Sequence, residues 1–215
     1  VHWPSSARMG ELMVRREEQP WQARATIVID NRASAHRGQG AGSSLEAAVS
    51  VAASVATHLA HRGFQVRLVT ANAVEHAVWH DRDADRNTGP LLEALAVLQP
   101  SPVTTLDAGW LAEPGHGGLV VAVLGAVGEA DAPVLRRMQS HTAVPLALAL
   151  DVDAWAGRST GSAAPVLAAR GWRAVGLGPQ DPLDVAWQVV QQVADDDATL
   201  IPDAFSNLSR VSALA

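Results

Sequence analysis

The stretch Ala25-Thr26-Ile27-Val28-Ile29-Asp30, continued by Asn31-Arg32-Ala33-Ser34, decides how this chain is read. Six residues, mostly β-branched or apolar, form a buried-strand pattern that ends in a carboxylate. A glycine-bearing loop follows, and from Ser43 to Arg62 the spacing of Leu45, Val49, Ala52, Val55, Ala56 and Leu59 predicts an amphipathic helix, with Ser43 or Ser44 as its N-cap. A strand that delivers an aspartate to the carboxyl edge of an open α/β sheet puts it where such sheets bind ligands.

Working outward, Gly63 marks a helix stop and Phe64 to Val69 alternates as a strand. Asp81 to Asn87 is a charged loop, after which Thr88-Gly89-Pro90 opens a helix over Leu91, Leu92, Leu95 and Leu98. Gln99 to Gly118 is rich in proline and glycine and reads as an insertion or edge excursion. Leu119 to Leu124 has the continuous apolar character of a central parallel strand. Helices are expected over 131–140, 162–170 and 182–193, with strands over 144–150 and 172–177. This alternation implies βαβ crossovers and a three-layer, doubly wound, mostly parallel sheet of Rossmann-like type. The expected division is an opening segment 1–24, an α/β domain 25–195 and a polar tail 196–215.

At 215 residues, 48% of them apolar and 18% charged, the chain has the composition of an ordinary globular domain. A net charge of −6 gives no reason to expect nucleic acid or an anionic membrane surface as partner. The absence of cysteine excludes disulfides, thiolate metal sites and thiol catalysis. The longest apolar run, Leu119 to Val127, is about half of the ~20 residues that span a bilayer. The chain begins without methionine and is expected to be a segment of a longer protein.

Several short motifs match known sites only by letter. Gly38-x-Gly40-x-Gly42 lies too far past the strand and has the wrong spacing for a dinucleotide fingerprint. Gly157-Arg158-Ser159-Thr160-Gly161 resembles a nucleophile elbow, yet no strand directly precedes it and no histidine follows His141. Asp81-x-Asp83-x-Asp85 lacks the glycine and glutamate of a calcium loop, with Arg86 and Leu92 in their places. The pairs His58/His61 and His76/His80 have no third ligand at a persuasive distance, and the seven tryptophans fit packing roles.

Asp30 differs, because position and context agree. The segment resembles the opening of a von Willebrand factor A site, in which a strand ends in Asp-x-Ser-x-Ser. A threonine from a second loop and an aspartate after a later strand complete an oxygen shell for Mg²⁺. Asp30 and Ser34 match, Thr88 is a fair match for the threonine, and Arg32 replaces the first serine. After Leu124 the chain runs Gly125-Ala126-Val127-Gly128-Glu129, without the aspartate. Two readings of Arg32 stand. If it points inward, its guanidinium takes the ion position and neutralises Asp30. If it points to solvent, Asp30 merely caps a turn.

The first twenty residues carry a more specific resemblance. His2-Trp3, Ser5-Ser6-Ala7-Arg8, Gly10-Glu11-Leu12-Met13-Val14-Arg15 and Glu17 are similar to the hallmark of the family named domain of unknown function 58. Asp30, the loop through His36 and Ser44-Leu45-Glu46 continue the likeness. The resemblance implies a von Willebrand factor A-like module in a bacterial protein whose upstream part carries membrane helices. It also implies a non-enzymatic role in protein interaction, with a MoxR-type AAA+ ATPase as the partner. The expected functional surface is the crevice around Asp30, Arg32, Ser34 and Thr88, a degenerate metal site with no catalytic residue and no cofactor. The alternative is a Rossmann-like hydrolase or nucleotide-dependent enzyme using the same crevice, with Asp30 and Glu129 as its titratable groups.

Overall fold

The computed structural model describes residues 24–62, 64–77, 88–112, 118–142, 144–158, 160–184 and 187–188. The opening segment up to residue 23, Gly63, the 81–87 loop with its alternating aspartates, His80, Ser159 and the 196–215 tail lie outside the described residues.

Strand β1 (Arg24–Ile29) is central, pairing in parallel with β2 (Gln65–Thr70) on one side and β4 (Leu119–Leu124) on the other. A short antiparallel strand β3 (Glu75–Ala77) flanks β2. Beyond β4 follow β5 (Val144–Leu150) and β6 (Arg173–Leu177), both parallel, so the order is β3-β2-β1-β4-β5-β6. Five strands are therefore parallel, as the alternating pattern of elements predicts. The chain winds outward from β1 through β2 and β3, then returns to the far side of β1 with β4. That reversal makes the carboxyl ends of β1 and β4 the switch point, where neighbouring crossovers leave on opposite faces and a crevice opens.

Two apolar cores hold the layers together. On one face, Ile27, Ile29, Leu68, Val121, Val123 and Leu148 pack beneath α1 (Ser44–His61) and α2 (Gly89–Ala96). On the other, Val28, Val120, Ala122 and Leu124 pack against Leu135 and Met138 of α3 (Ala132–Ser140) and Leu167 of α4 (Ala164–Ala169). Strands β1 and β4 thus bury both of their faces, which is why they read as continuous apolar runs rather than alternating ones.

Helix α1 begins where its cap allows: the Ser43 hydroxyl accepts a hydrogen bond from the Glu46 N–H. Ser44, the other candidate cap, is instead the first helical residue and turns its hydroxyl toward the loop. Gly171 terminates α4 at a φ of +87°, a conformation that costs glycine nothing. Of the final helix, residues 183–184 and 187–188 are helical, and Leu183 and Trp187 pack on the first core.

The segment after α2 corrects an expectation. Its described part, residues 99–112, is no edge excursion. Ser101 forms a parallel bridge with Arg32, donating its N–H to the Asn31 carbonyl at 2.7 Å and accepting from the Ala33 N–H at 2.8 Å. Leu106, Ala108, Trp110 and Leu111 then enter the second core. The segment crosses the carboxyl ends of β1 and β2, and roofs the switch point.

Candidate functional site

Asp30 follows β1 directly and is still held in the sheet, its N–H donating to the Val123 carbonyl at 2.9 Å. Its side chain is fully buried. A buried carboxylate must be paired or protonated, because leaving ionised oxygen unsolvated costs several kcal/mol. The pairing comes from two residues along the chain.

Arg32 points inward, as the first of the two readings requires. Its Nε donates to Asp30 Oδ1 and its Nη2 to Asp30 Oδ2, each at 2.8 Å, a bidentate pairing. Nη2 also donates to the Ala126 carbonyl at 3.1 Å. Nη1 donates to the Thr104 carbonyl at 3.1 Å and to Asp131 Oδ1 at 2.8 Å. A guanidinium has five N–H donors, and these bonds employ all of them. Arg32 is only 3% exposed. Burial by itself pushes its pKa down, but hydrogen bonds and charge from Asp30 and Asp131 outweigh that and hold it above the ordinary arginine value.

The carboxylates are equally saturated. Asp30 Oδ1 also accepts from the Arg32 backbone N–H at 3.1 Å, and Oδ2 from the Gly125 N–H at 3.3 Å. Asp131, 2% exposed, accepts from the Gly128 N–H at 3.0 Å and the Leu106 N–H at 3.4 Å besides Arg32. The cluster therefore carries one net negative charge and ties together the loop after β1, the loop after β4, the start of α3 and the roofing segment.

A second set of bonds fixes the backbone around it. Asn31 donates through Nδ2 to the Gln99 carbonyl at 2.8 Å and accepts from the Ala71 N–H at 3.1 Å. His36 donates through Nε2 to the Asp30 carbonyl, and its Nδ1 lies 3.0 Å from the Ser44 hydroxyl. That hydroxyl accepts from the Arg37 N–H at 2.9 Å. Because a carbonyl can only accept, Nε2 carries a proton in this arrangement.

Of the four residues expected at the crevice, Asp30 and Arg32 come together. Ser34 is exposed, its carbonyl accepting from Arg37. Thr88 sits at the N-terminal cap position of α2, where its carbonyl accepts from Leu91 and Leu92, and none of the bonds to Asp30 comes from it. The threonine that does reach the cluster is Thr104, through its backbone. Asp131 was not singled out in the sequence. It precedes Ala132-Pro133 and reads simply as the start of a helix, although an acidic residue just ahead of a helical proline is also a capping signal. Gly125 occupies the position where an aspartate was expected, and a side chain there would collide with the Ala35 carbonyl.

Glu129 takes no part in this cluster. Its side chain is 93% exposed and lies 3.4 Å from Arg170. The strand before Gly157 ends at Leu150, and Arg158 and Thr160 donate to Asp153, so the motif does not directly follow a strand as an elbow requires.

A hard divalent ion requires about six oxygen ligands with lone pairs turned toward it. Here the carboxylate oxygens receive N–H donors and a guanidinium lies between them, so the residues as they stand do not fit Mg²⁺. Among the described residues no group of three or more histidines and carboxylates could hold a metal.

The model for "Protein of unknown function DUF58" matches residues 1–140. The chain belongs to that family. The match runs well beyond the first strand and helix and includes both Arg32 and Asp131. The site is built from the loop after β1, the roofing segment and the loop after β4 of a doubly wound, mostly parallel sheet. Similar solved structures include the PilB minor pilin from Streptococcus sanguinis, at 9% identity and a TM-score of 0.48, covering 81% of this chain and 62% of the pilin. The SpRpn10 VWA domain aligns at 13% identity and a TM-score of 0.44, covering 80% of this chain and 95% of that domain. The chain thus spans less than two thirds of the pilin's length. No curated protein matches the sequence.

Proposed function

We propose that this DUF58 chain is a non-enzymatic protein-interaction domain whose site has exchanged a metal ion for an arginine. Family and fold support an interaction domain. The observation that carries the metal-free reading is the guanidinium of Arg32, bound to Asp30 and Asp131 with all five donors engaged. In this reading the cation is built into the chain, and the rim is organised without a divalent ion. The partner is a MoxR-type AAA+ ATPase, and the chain works as the cytoplasmic adaptor of a membrane-anchored protein. Among the described residues no helix is long and apolar enough to cross a membrane, so an anchor would be contributed from elsewhere.

A non-enzymatic role is supported by the state of the titratable groups. Asp30 and Asp131 spend their lone pairs on Arg32 and backbone N–H groups, which leaves neither free as a general base. Affinity capture with the full-length protein, in excess EDTA and in excess Mg²⁺, tests the reading. Recovery of an AAA+ ATPase equally in both supports it, and capture that requires Mg²⁺ or returns no ATPase overturns it.

A further inference from the structure

One strand over from the cluster, a groove of about 430 Å³ runs between the loop after β4 and the loop leading from β5 into α4. Its floor is apolar, formed by Val152, Ala163, Val166 and Leu167, and Val166 is 52% exposed. Asp151 follows β5 directly, between Leu150 and Val152, which both line the groove. Its backbone is tied down, the N–H donating to the Leu177 carbonyl at 2.8 Å and the carbonyl accepting from the Ala154 N–H at 3.0 Å. Its side chain is not. Oδ1 is enclosed and accepts no hydrogen bond from the described residues, although the residue as a whole is only half-buried. Enclosed polar atoms are nearly always paired, and one left unpaired costs the chain its desolvation in full. A carboxylate kept in that state at the carboxyl edge of a parallel sheet stands where such sheets meet their ligands.

The surrounding charge selects the sign of an occupant. Glu129 and Asp153 line the groove against Arg170 alone. Arg158 donates to Asp153 at 2.6 Å and Arg37 Nε lies 4.0 Å from it, both outside the lining. With these two arginines, Asp151 and the Asp30–Arg32–Asp131 cluster all counted, five carboxylates stand against four arginines. The whole chain carries −6. A cationic group is therefore drawn in and an anionic one repelled. Asp153 already has both oxygens engaged, by Arg158 and Thr160. Glu129 is 93% exposed and meets Arg170 only at 3.4 Å, so Glu129 and Asp151 are the carboxylates with lone pairs to offer. Among the described residues no three carboxylates or histidines converge as a metal shell, so the cation that fits is organic. A long basic side chain also suits the floor, since its alkyl stem covers apolar surface while its head stays polar.

We propose that this groove takes an arginine side chain from an extended segment of a partner protein, its stem on Val152 and Val166 and its guanidinium on Asp151 and Glu129. A planar fork of donors matches carboxylates better than an ammonium does. The proposal rests on the interaction-domain reading above and names the chemistry of its partner. Three capped peptides test it on the whole chain: Gly-Gly-Arg-Gly-Gly, the same peptide with citrulline, which keeps the shape without the charge, and the same peptide with glutamate. Amide chemical shifts and affinities are followed by nuclear magnetic resonance. The arginyl peptide is expected to shift amides in 125–129 and 150–153, to bind several-fold tighter than the citrullyl one and to weaken with added salt. No such shifts are expected from the glutamyl peptide. Asp151→Asn should weaken arginyl binding by about fivefold or more. That variant should also unfold at the parent's temperature or above it, because it relieves an unpaired enclosed charge that serves binding rather than stability. Val166→Ser, which leaves both carboxylates in place, should weaken binding as well. Equal binding of the arginyl and citrullyl peptides, shifts confined to other surfaces, affinity untouched by either variant, or a lower unfolding temperature for Asp151→Asn overturns the proposal. Because the peptides are read on the purified chain, their failure removes the groove alone, whereas ATPase capture decides the broader reading independently.

Discussion

Arg32 is buried between two carboxylates, and each of those carboxylates depends on it for its counter-charge. Replacing Arg32 by alanine strands two ionised groups at near-zero exposure, and breaking such a pair costs about 3–5 kcal/mol. Urea denaturation should show that loss. Arg32→Lys should recover only part of it, because an ammonium brings three donors from one point where the guanidinium brings five across a plane. Asp131→Asn keeps the Asp30 pairing and should cost less, about 1–3 kcal/mol. A double-mutant cycle over Arg32 and Asp131 should return a coupling of about 1–3 kcal/mol, and strictly additive effects would contradict the geometry. The raised pKa of Arg32 means that its contribution is fully present below the unfolded-state value. It fades only at extreme alkaline pH, so the cluster's cation is constant across physiological conditions.

At the scale of elements, the loop after β4 shows why the missing aspartate cannot simply be restored. Gly125 lies against the Ala35 carbonyl, so Gly125→Asp forces the two loops apart and adds a third carboxylate beside Asp30. A loss of about 1–3 kcal/mol is expected from the overpacking alone, and a variant as stable as the parent would show the loops to be more pliant. At the far end of α1, burial first, then Arg62 and His61, lower the pKa of His58, whose ring meets Trp187 edge-on at 5.3 Å. A histidine with a depressed folded-state pKa binds protons more readily when unfolded. Its contribution is therefore intact above about 6.5 and is lost as pH falls through the lower, folded value. His58→Gln should flatten the acid limb of a stability–pH profile below that point while leaving neutral pH little changed. An unaltered acid limb would assign the dependence elsewhere.

The elements differ in how much of them could be read ahead. β1, β4, β5 and α1 announce themselves because burial repeats along a regular backbone, as in Leu119–Leu124 or the Leu45-to-Leu59 face. Residues 99–112 have no such repeat. Pro100, Pro102 and Gly109 make the segment look like surface loop, yet Leu106, Trp110 and Leu111 are buried. Irregular backbone hides its burial from any periodicity. The same limit applies to the site. Asp30 and Arg32 are two residues apart and meet through local geometry, whereas Asp131 meets Arg32 across 99 residues of chain. Only the fold brings that pair together, so nothing local in sequence marks it.

For the whole molecule, one consequence follows from a cation supplied by the chain. The rim is expected to stay assembled at any divalent-ion concentration, so thermal unfolding of the parent should coincide in EDTA and in Mg²⁺. Arg32→Ser should unfold at lower temperature and regain part of the loss with Mg²⁺, because Asp30, Asp131 and the new hydroxyl then offer oxygen to a hard ion. The most direct measurement is a calorimetric titration of the parent chain with Mg²⁺, alongside Asp30→Asn. No saturable heat in either protein is the predicted result. Stoichiometric binding by the parent that disappears in Asp30→Asn would mean that the ion, not Arg32, holds the centre of the site.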